Sequence, residues 1–298
     1  MNSCILNNQS ESCLPKKIIK DLGKKYLPND KEQNILSHIL IIDKLATTLN
    51  CNNLDTTSSK EICIIEKIKL KNKGSNDEKV LNKTLLSYFK PLTKSFNGDY
   101  WMNNTDIDSI QYQFHILFPG YYYSNIHMID LVMYNPGNTH LMKNGHKIKP
   151  IKEINFINEL EKKNHELNYN KELQNYGMVI NTDVSSGGGI HWFSIFIDFK
   201  STPIKIEYFN SSGYDITNVK FKTYFMNLAD EITREFRKCI FVKVTNIQHQ
   251  RANTANCGSY SLYFIWKRLN GVPYDYFSKN KITDENMVGF RKFLFRLK

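Results

Sequence analysis

Through residue 95 the apolar positions recur every three or four residues, the spacing of helices that bury one face. In residues 16–26, Ile18, Ile19, Leu22 and Tyr26 form a short stripe of this kind. Asp30 with Gln33 three positions on has the form of a capping box. Ile35, Leu36, Ile39, Leu40, Ile42, Leu45, Ala46 and Leu49 then predict a helix running to Asn50. Residues 52–60 are a polar loop, and the apolar run in 61–71 is too short to separate strand from helix. After a break at Gly74-Ser75-Asn76-Asp77, the spacing of Val80, Leu81, Leu85, Leu86 and Phe89 predicts another helix, stopped by Pro91. The expectation is a small, mostly helical N-terminal domain over residues 1–95. It holds no catalytic constellation, and its His38 and four cysteines read as packing or surface residues.

Beyond Thr93 aromatic residues become dense and period-2 patterns begin. Trp101-Met102-Asn103-Asn104-Thr105-Asp106-Ile107 leads into a helix, with Asn104 or Thr105 as the cap and Ile107 and Ile110 opening the buried face. Tyr121-Tyr122-Tyr123 and residues 129–134 are apolar enough to be buried. Asn135-Pro136-Gly137-Asn138 is a turn, and residues 154–167 have a loose helical period. Residues 176–181 predict a strand. After Gly187-Gly188-Gly189, the run from His191 to Asp198 has the composition of a strand covered on both faces. On the next strand Ile204, Ile206 and Tyr208 alternate with Lys205, Glu207 and Phe209. Antiparallel pairing of these two strands brings His191, at the start of one, and Asn210, at the end of the other, to the same edge. Residues 219–237 are the clearest helix, residues 240–247 alternate as a strand, and residues 258–269 form an amphipathic helix ended by Gly271. Residues 284–296 predict a last helix, carrying Met287, Phe290 and Leu294.

Composition narrows the classes of function. The 41% hydrophobic and 23% charged content is that of a globular protein. No apolar run approaches the ~18 residues of a membrane span, and the first thirty residues hold no apolar signal core. Cys4, Cys13, Cys51, Cys63, Cys239 and Cys257 are scattered without a CxxC. Neither a disulfide framework nor a zinc site is expected from them, no metal or cofactor is implied, and a reducing compartment is the inference. The excess of 40 Lys+Arg over 29 Asp+Glu, a net +11, would suit an anionic partner. No basic run is dense enough to form a stripe, and no motif supports DNA contact. A solvated basic surface accounts for the charge.

The chemistry concentrates between Asn246 and Leu262. A polar loop there ends in Cys257-Gly258 at a helix N-terminus, with Gln250 earlier in the same loop. The thiolate is the nucleophilic form of cysteine, and a helix N-terminus and a neighbouring imidazolium both lower a thiol's pKa. Cys257 is therefore the candidate nucleophile and His191 the base. Asn210 is the amide that orients the imidazole. The backbone N–H of Cys257 and the side-chain amide of Gln250 are candidate donors to the oxyanion. Taken singly, each residue has a structural reading; the ordered set points to catalysis.

At these residues the chain resembles the cysteine-protease group shared by adenovirus protease (adenain) and the SUMO-specific proteases. The matching motifs are Trp101-Met102-Asn103-Asn104, His191-Trp192 and Gln250 followed by Cys257-Gly258. Further stretches resemble a polyprotein-processing viral branch of that group along nearly the whole chain. They include Ser12-Cys13-Leu14-Pro15, Ile180-Asn181-Thr182-Asp183, Ile206-Glu207-Tyr208-Phe209-Asn210-Ser211 and Ile282-Thr283-Asp284-Glu285. The resemblance implies an α+β fold, a mixed central sheet flanked by helices over residues 96–298, behind the helical arm domain of 1–95. It implies cleavage of viral structural polyproteins after Gly-Gly in Gly-Gly-X sites during virion maturation. Trp192 would help form a channel that only glycines pass. It also places the enzyme in the host cytoplasm, at the viral factory, and in the virion core. Deconjugation of SUMO or another ubiquitin-like protein is the rival enzyme reading. A dead-site nucleic-acid-binding or scaffold protein is the rival outside enzymes. Asn210 departs from the Asp usual in SUMO proteases. The loop from Gln250 to Cys257 is one residue longer than in the viral branch, which leaves Gln248 as the alternative donor.

Overall fold

The computed structural model describes residues 4, 12–27, 37–124, 126–132, 141–143, 146–148 and 173–297. The Asp30/Gln33 capping box, the 135–138 turn and the 154–167 helix lie outside them. The chain divides into two units, Met1–Lys94 with Lys292–Lys298, and Ser95–Arg291.

The first unit is helical. It contains α1 (Lys16–Tyr26), α2 (His38–Thr48), α3 (Thr57–Lys71) and α4 (Asn76–Tyr88). Ser37, Thr56 and Ser75 cap α2, α3 and α4, each accepting from the N–H three residues on. The ambiguous run at 61–71 is helix because Ile64, Ile65 and Ile68 share one face, which packs with Ile41, Ile42 and Leu45 in the core. Two pairs of cysteines correct the sequence reading: Cys4–Cys13 and Cys51–Cys63 are disulfides. The loops between them span only 9 and 12 residues, and chain packing sets each pair side by side, which spacing without a CxxC did not reveal. The buried Glu61 carboxylate accepts from Ser12 Oγ and Cys13 N, anchoring the segment that carries one of these bridges. The sequence placed everything after residue 95 in the second domain. Instead Arg296–Leu297 pairs in parallel with β1 (Leu92–Thr93), and the last seven residues belong to the first unit.

The second unit begins at α5 (Asn104–Leu117). Its cap is Asn103, one residue before the expected pair, because Asn103 and Asp106 close a reciprocal capping box. The elements that follow are β2 (Tyr121–Tyr123), β3 (His127–Met128), β4 (Leu141–Lys143), β5 (His146–Ile148), β6 (Asn175–Asn181), β7 (Trp192–Asp198) and β8 (Ile204–Phe209). They continue through α6 (Val219–Glu235), β9 (Cys239–Lys243), α7 (Cys257–Leu269), α8 (Tyr276–Lys279) and α9 (Asp284–Leu294). The sheet runs β2-β6-β7-β8-β9, with β3 also on β6. The β6/β7 and β7/β8 pairs are antiparallel, and the outer β2/β6 and β8/β9 pairs are parallel, so the sheet is mixed.

Helices cover both faces of this sheet. On one, Phe193, Ile195, Ile197, Ile206 and Tyr208 pack against Phe221, Phe225, Leu228 and Ile232 of α6. On the other, Phe209 stacks on Phe264 of α7 and Phe196 meets the same ring edge-on. The alternation along β8 therefore does not divide core from solvent. Glu207 is fully buried and held by Arg268, whose Nε and Nη2 donate to its two oxygens at 2.7 and 2.9 Å. The strand expected over 240–247 stops at Lys243. Beyond it the Thr245 hydroxyl donates to the Phe277 carbonyl and accepts from Ile247 N, turning the chain away from the sheet. Among the described residues no helix is long and apolar enough to cross a membrane.

Candidate active site

His191 is delivered to the start of β7 by a braced turn. Asn181 Oδ1 accepts from Asp183 N and Ile190 N, and Asp183 accepts from Val184 N and Gly189 N. Gly189 sits at φ +90°, a conformation costly for any residue with a Cβ. Asn210 follows the last residue of β8. The antiparallel register, with Ser194 opposite Phe209, carries both side chains to one edge of the sheet. There His191 Nε2 lies 2.8 Å from Asn210 Oδ1.

Cys257 opens α7, one residue earlier than the pattern suggested, and is 1% exposed. Gly258 beside it lets the chain approach closely: a Cβ there would stand 3.1 Å from Met102 Sδ and 3.4 Å from Trp192 Cδ1. The Trp192 indole N–H donates to the Met102 carbonyl at 3.2 Å, which locks the leading loop of α5 against the start of β7. A cavity of about 560 Å³ is lined by Cys257, His191, Gln250, Gln248, Trp101 and Tyr214, among others. The structure thus brings the thiol, the imidazole and both candidate glutamines to one cleft. Gln250 is buried and anchored, its Oε1 accepting from Ser211 Oγ at 2.8 Å and its Nε2 donating to the Thr254 carbonyl at 2.6 Å. An amide nitrogen carries two hydrogens, so this bond uses one of them. Gln248 is exposed. Trp192, expected in the substrate channel, is 4% exposed and packs beneath the site, whereas Trp101 on the cavity wall is 48% exposed.

Sequence reasoning missed one residue. Arg291, 1% exposed, donates from Nη2 to the Ala255 carbonyl and from Nε to Asn256 Oδ1, just before Cys257. Asn256 Nδ2 in turn reaches Asp284 Oδ1. Arg291 stands four positions after Met287 on the buried face of α9, where a charge on an apolar stripe was the available signal.

The electrostatics correct the expected thiolate. Burial pushes the Cys257 thiol up, against the backbone N–H groups of Trp192 and Gly258 and the Arg291 charge, which favour the anion. Burial also lowers His191, opposed by its bond to Asn210. Both shifts favour the uncharged forms, a thiol and a neutral imidazole. The sign of the pH dependence follows. A base accepts a proton only while neutral, so with His191 in that role kcat/KM would fall as pH drops through its pKa. We expect that acid limb below pH 6.5, the ordinary histidine value, in a pH–rate profile.

A buried cysteine at a helix start, sharing a cleft with an imidazole held by an amide, is an arrangement suited to a cysteine hydrolase, and the comparisons specify which. The model of the Ulp1 protease family, C-terminal catalytic domain, matches residues 100–298. The chain belongs to this family of cysteine proteases. It is 29% identical over 292 residues to a cysteine protease of African swine fever virus (isolate Tick/Malawi/Lil 20-1/1983), covering 96% of this chain and 92% of that protein. The counterpart from the Pig/Kenya/KEN-50/1950 isolate of the same virus, named a SUMO-1 cysteine protease, is 28% identical over the same span. The crystal structure of an African swine fever virus protease superposes with a TM-score of 0.62 at 26% identity, covering 100% of this chain and 96% of that one.

Proposed function

We propose that this protease cuts viral structural polyprotein precursors after Gly-Gly in Gly-Gly-X sites, through a Cys257–His191–Asn210 triad. The observation that carries the triad is the 2.8 Å contact from His191 Nε2 to Asn210 Oδ1 beside the cleft that holds Cys257. With Nε2 committed to Asn210, Nδ1 is left for the thiol. In the first step Cys257 Sγ adds to the carbonyl of the second glycine and its proton passes to His191 Nδ1. The backbone N–H of Cys257 and the Gln250 amide meet the oxyanion. The C–N bond then breaks as His191 returns the proton to the amine of X. Water, deprotonated by the same imidazole, hydrolyses the thioester to release the Gly-Gly carboxylate and the thiol. No cofactor enters this cycle. The enzyme would act at the viral factory in the host cytoplasm and within the virion core.

The glycine requirement would be steric: Cys257 is 1% exposed in a cavity that Trp101, Ile190 and Tyr214 also line, which leaves little room for a side chain beside the thiol. A methyl forced into such a passage costs ~1–3 kcal/mol, about 5–150-fold. Peptides with Gly-Gly-X and Gly-Ala-X should therefore differ in kcat/KM by at least about fivefold. Equal turnover of the two would reject the proposed specificity. The relative named a SUMO-1 cysteine protease favours a second reading, deconjugation. A folded SUMO fusion ending in Gly-Gly, cleaved far faster than an unfolded precursor with the same junction, would decide for it.

A further inference from the structure

An asparagine in the orienting position poses a problem that a carboxylate does not, because its two ends differ. Oδ1 only accepts and Nδ2 only donates. A half-turn of the amide exchanges them, and with them the imidazole tautomer. Oδ1 toward the ring requires the proton on Nε2 and leaves Nδ1 free to accept from Cys257. Nδ2 toward the ring would place the proton on Nδ1 and remove the base.

The surroundings of Asn210 supply a choice. Its Oδ1 accepts from Ser212 N at 3.0 Å and Ser212 Oγ at 2.7 Å, besides facing His191. A backbone N–H cannot reverse its role, so the oxygen belongs at that end. At the other end Nδ2 donates to Tyr208 Oη at 3.0 Å. That phenol donates its own hydrogen to the Tyr214 carbonyl at 3.3 Å, which can only accept. Its lone pairs are thereby left for the amide. Asn210 is 6% and Tyr208 3% exposed, so each meets mostly protein. Burial pushes the Tyr208 hydroxyl up to about 12, and the phenol keeps its hydrogen through the working pH range.

We infer that Tyr208, oriented by the Tyr214 carbonyl, is a positioning residue that fixes the polarity of the Asn210 amide and through it the Nε2–H tautomer of His191. The catalytic meaning of that tautomer rests on the triad reading above; the tautomer itself does not. A second cavity, about 380 Å³, is lined by Tyr208, Asn210 and His191, so this relay borders open space on the side away from Cys257. Asp215, the charged group that acts on Tyr208, stays in place in every variant below.

The test compares Tyr208→Phe in two backgrounds, the native one and Asn210→Asp, whose two oxygens are equivalent. In the native background kcat should fall about tenfold, the scale of one buried hydrogen bond, with KM within about twofold. The acid limb should move to lower pH, because the Asn210 bond raises the His191 pKa. In the Asn210→Asp background the same change should cost less than about twofold. Long-range ¹H–¹⁵N spectra of His191 need no substrate. They should show the Nε2–H tautomer in the native protein and a mixture in Tyr208→Phe. The native spectrum needs no variant: a proton on Nδ1 there would by itself overturn the inference, so the question stays decidable if Tyr208→Phe does not fold. An equal loss in both backgrounds, or a single unchanged tautomer in Tyr208→Phe, overturns the inference. The expected tautomers in a protein that cleaves no Gly-Gly-X substrate would leave the inference standing and sink the proposed function instead.

Discussion

Cys257→Ala should lower kcat on a Gly-Gly-X peptide by at least about 10⁵-fold, the scale on which removing the nucleophile of an acyl-transfer triad acts. No neighbouring group can replace it. Among the described residues the other free cysteine is Cys239, on β9. The thiol is small and lies in a cleft wall at a helix start, so thermal unfolding should shift by only a few degrees. His191→Ala should cost nearly as much, and the double variant little more than either, because nucleophile and base act as one unit. Steady-state kinetics on the four proteins checks this. A double variant whose loss is the product of the two single losses would show that His191 and Cys257 act independently, contrary to the triad.

The candidate site residues were legible in the sequence because each stands at the end of a strongly patterned element. His191 opens an apolar strand, Asn210 closes the next, and Cys257 begins an amphipathic helix. Antiparallel pairing of adjacent strands was enough to join the first two. The illegible parts depend on contacts between distant segments. Tyr208 reads as an ordinary inward strand residue, and only the folded β8–loop geometry shows its hydroxyl under Asn210. Arg291 lies 34 residues beyond Cys257. The pKa error has the same origin: a helix N-terminus is visible in a sequence, whereas the burial that outweighs it is not. In the first unit, local spacing found the helices, but the disulfides needed the tertiary arrangement.

The other large effect is structural. Arg268→Ala should destabilise the second unit by about 3–5 kcal/mol, the usual consequence of stranding a buried charge. Against a typical total of about 5–15 kcal/mol this is a large share, roughly 6–20 °C in Tm for a unit of this size. The guanidinium binds both Glu207 oxygens, Asp198 Oδ2 at 2.8 Å and the Val272 carbonyl at 2.6 Å, and it lies over the Phe196 ring. Its loss leaves the Glu207 carboxylate on β8 and the Asp198 carboxylate at the end of β7 without the cation they share. Burial pushes Glu207 up to about 7 even with the arginine in place, and removing the cation raises it further. The sign of the pH dependence is then fixed. A carboxyl whose folded pKa lies above its unfolded value binds more protons when folded, so stability falls as pH rises from about 4.5 through the folded pKa. The deficit of Arg268→Ala relative to the native protein should therefore be larger at pH 8 than at pH 5. Adding Glu207→Gln, which removes the stranded charge while keeping the side chain's shape, should recover part of the loss at pH 8 and little at pH 5. Calorimetry at the two pH values checks both statements. A deficit that is the same at each would mean that lost packing against Phe196, rather than the unpaired Glu207 charge, carries the effect.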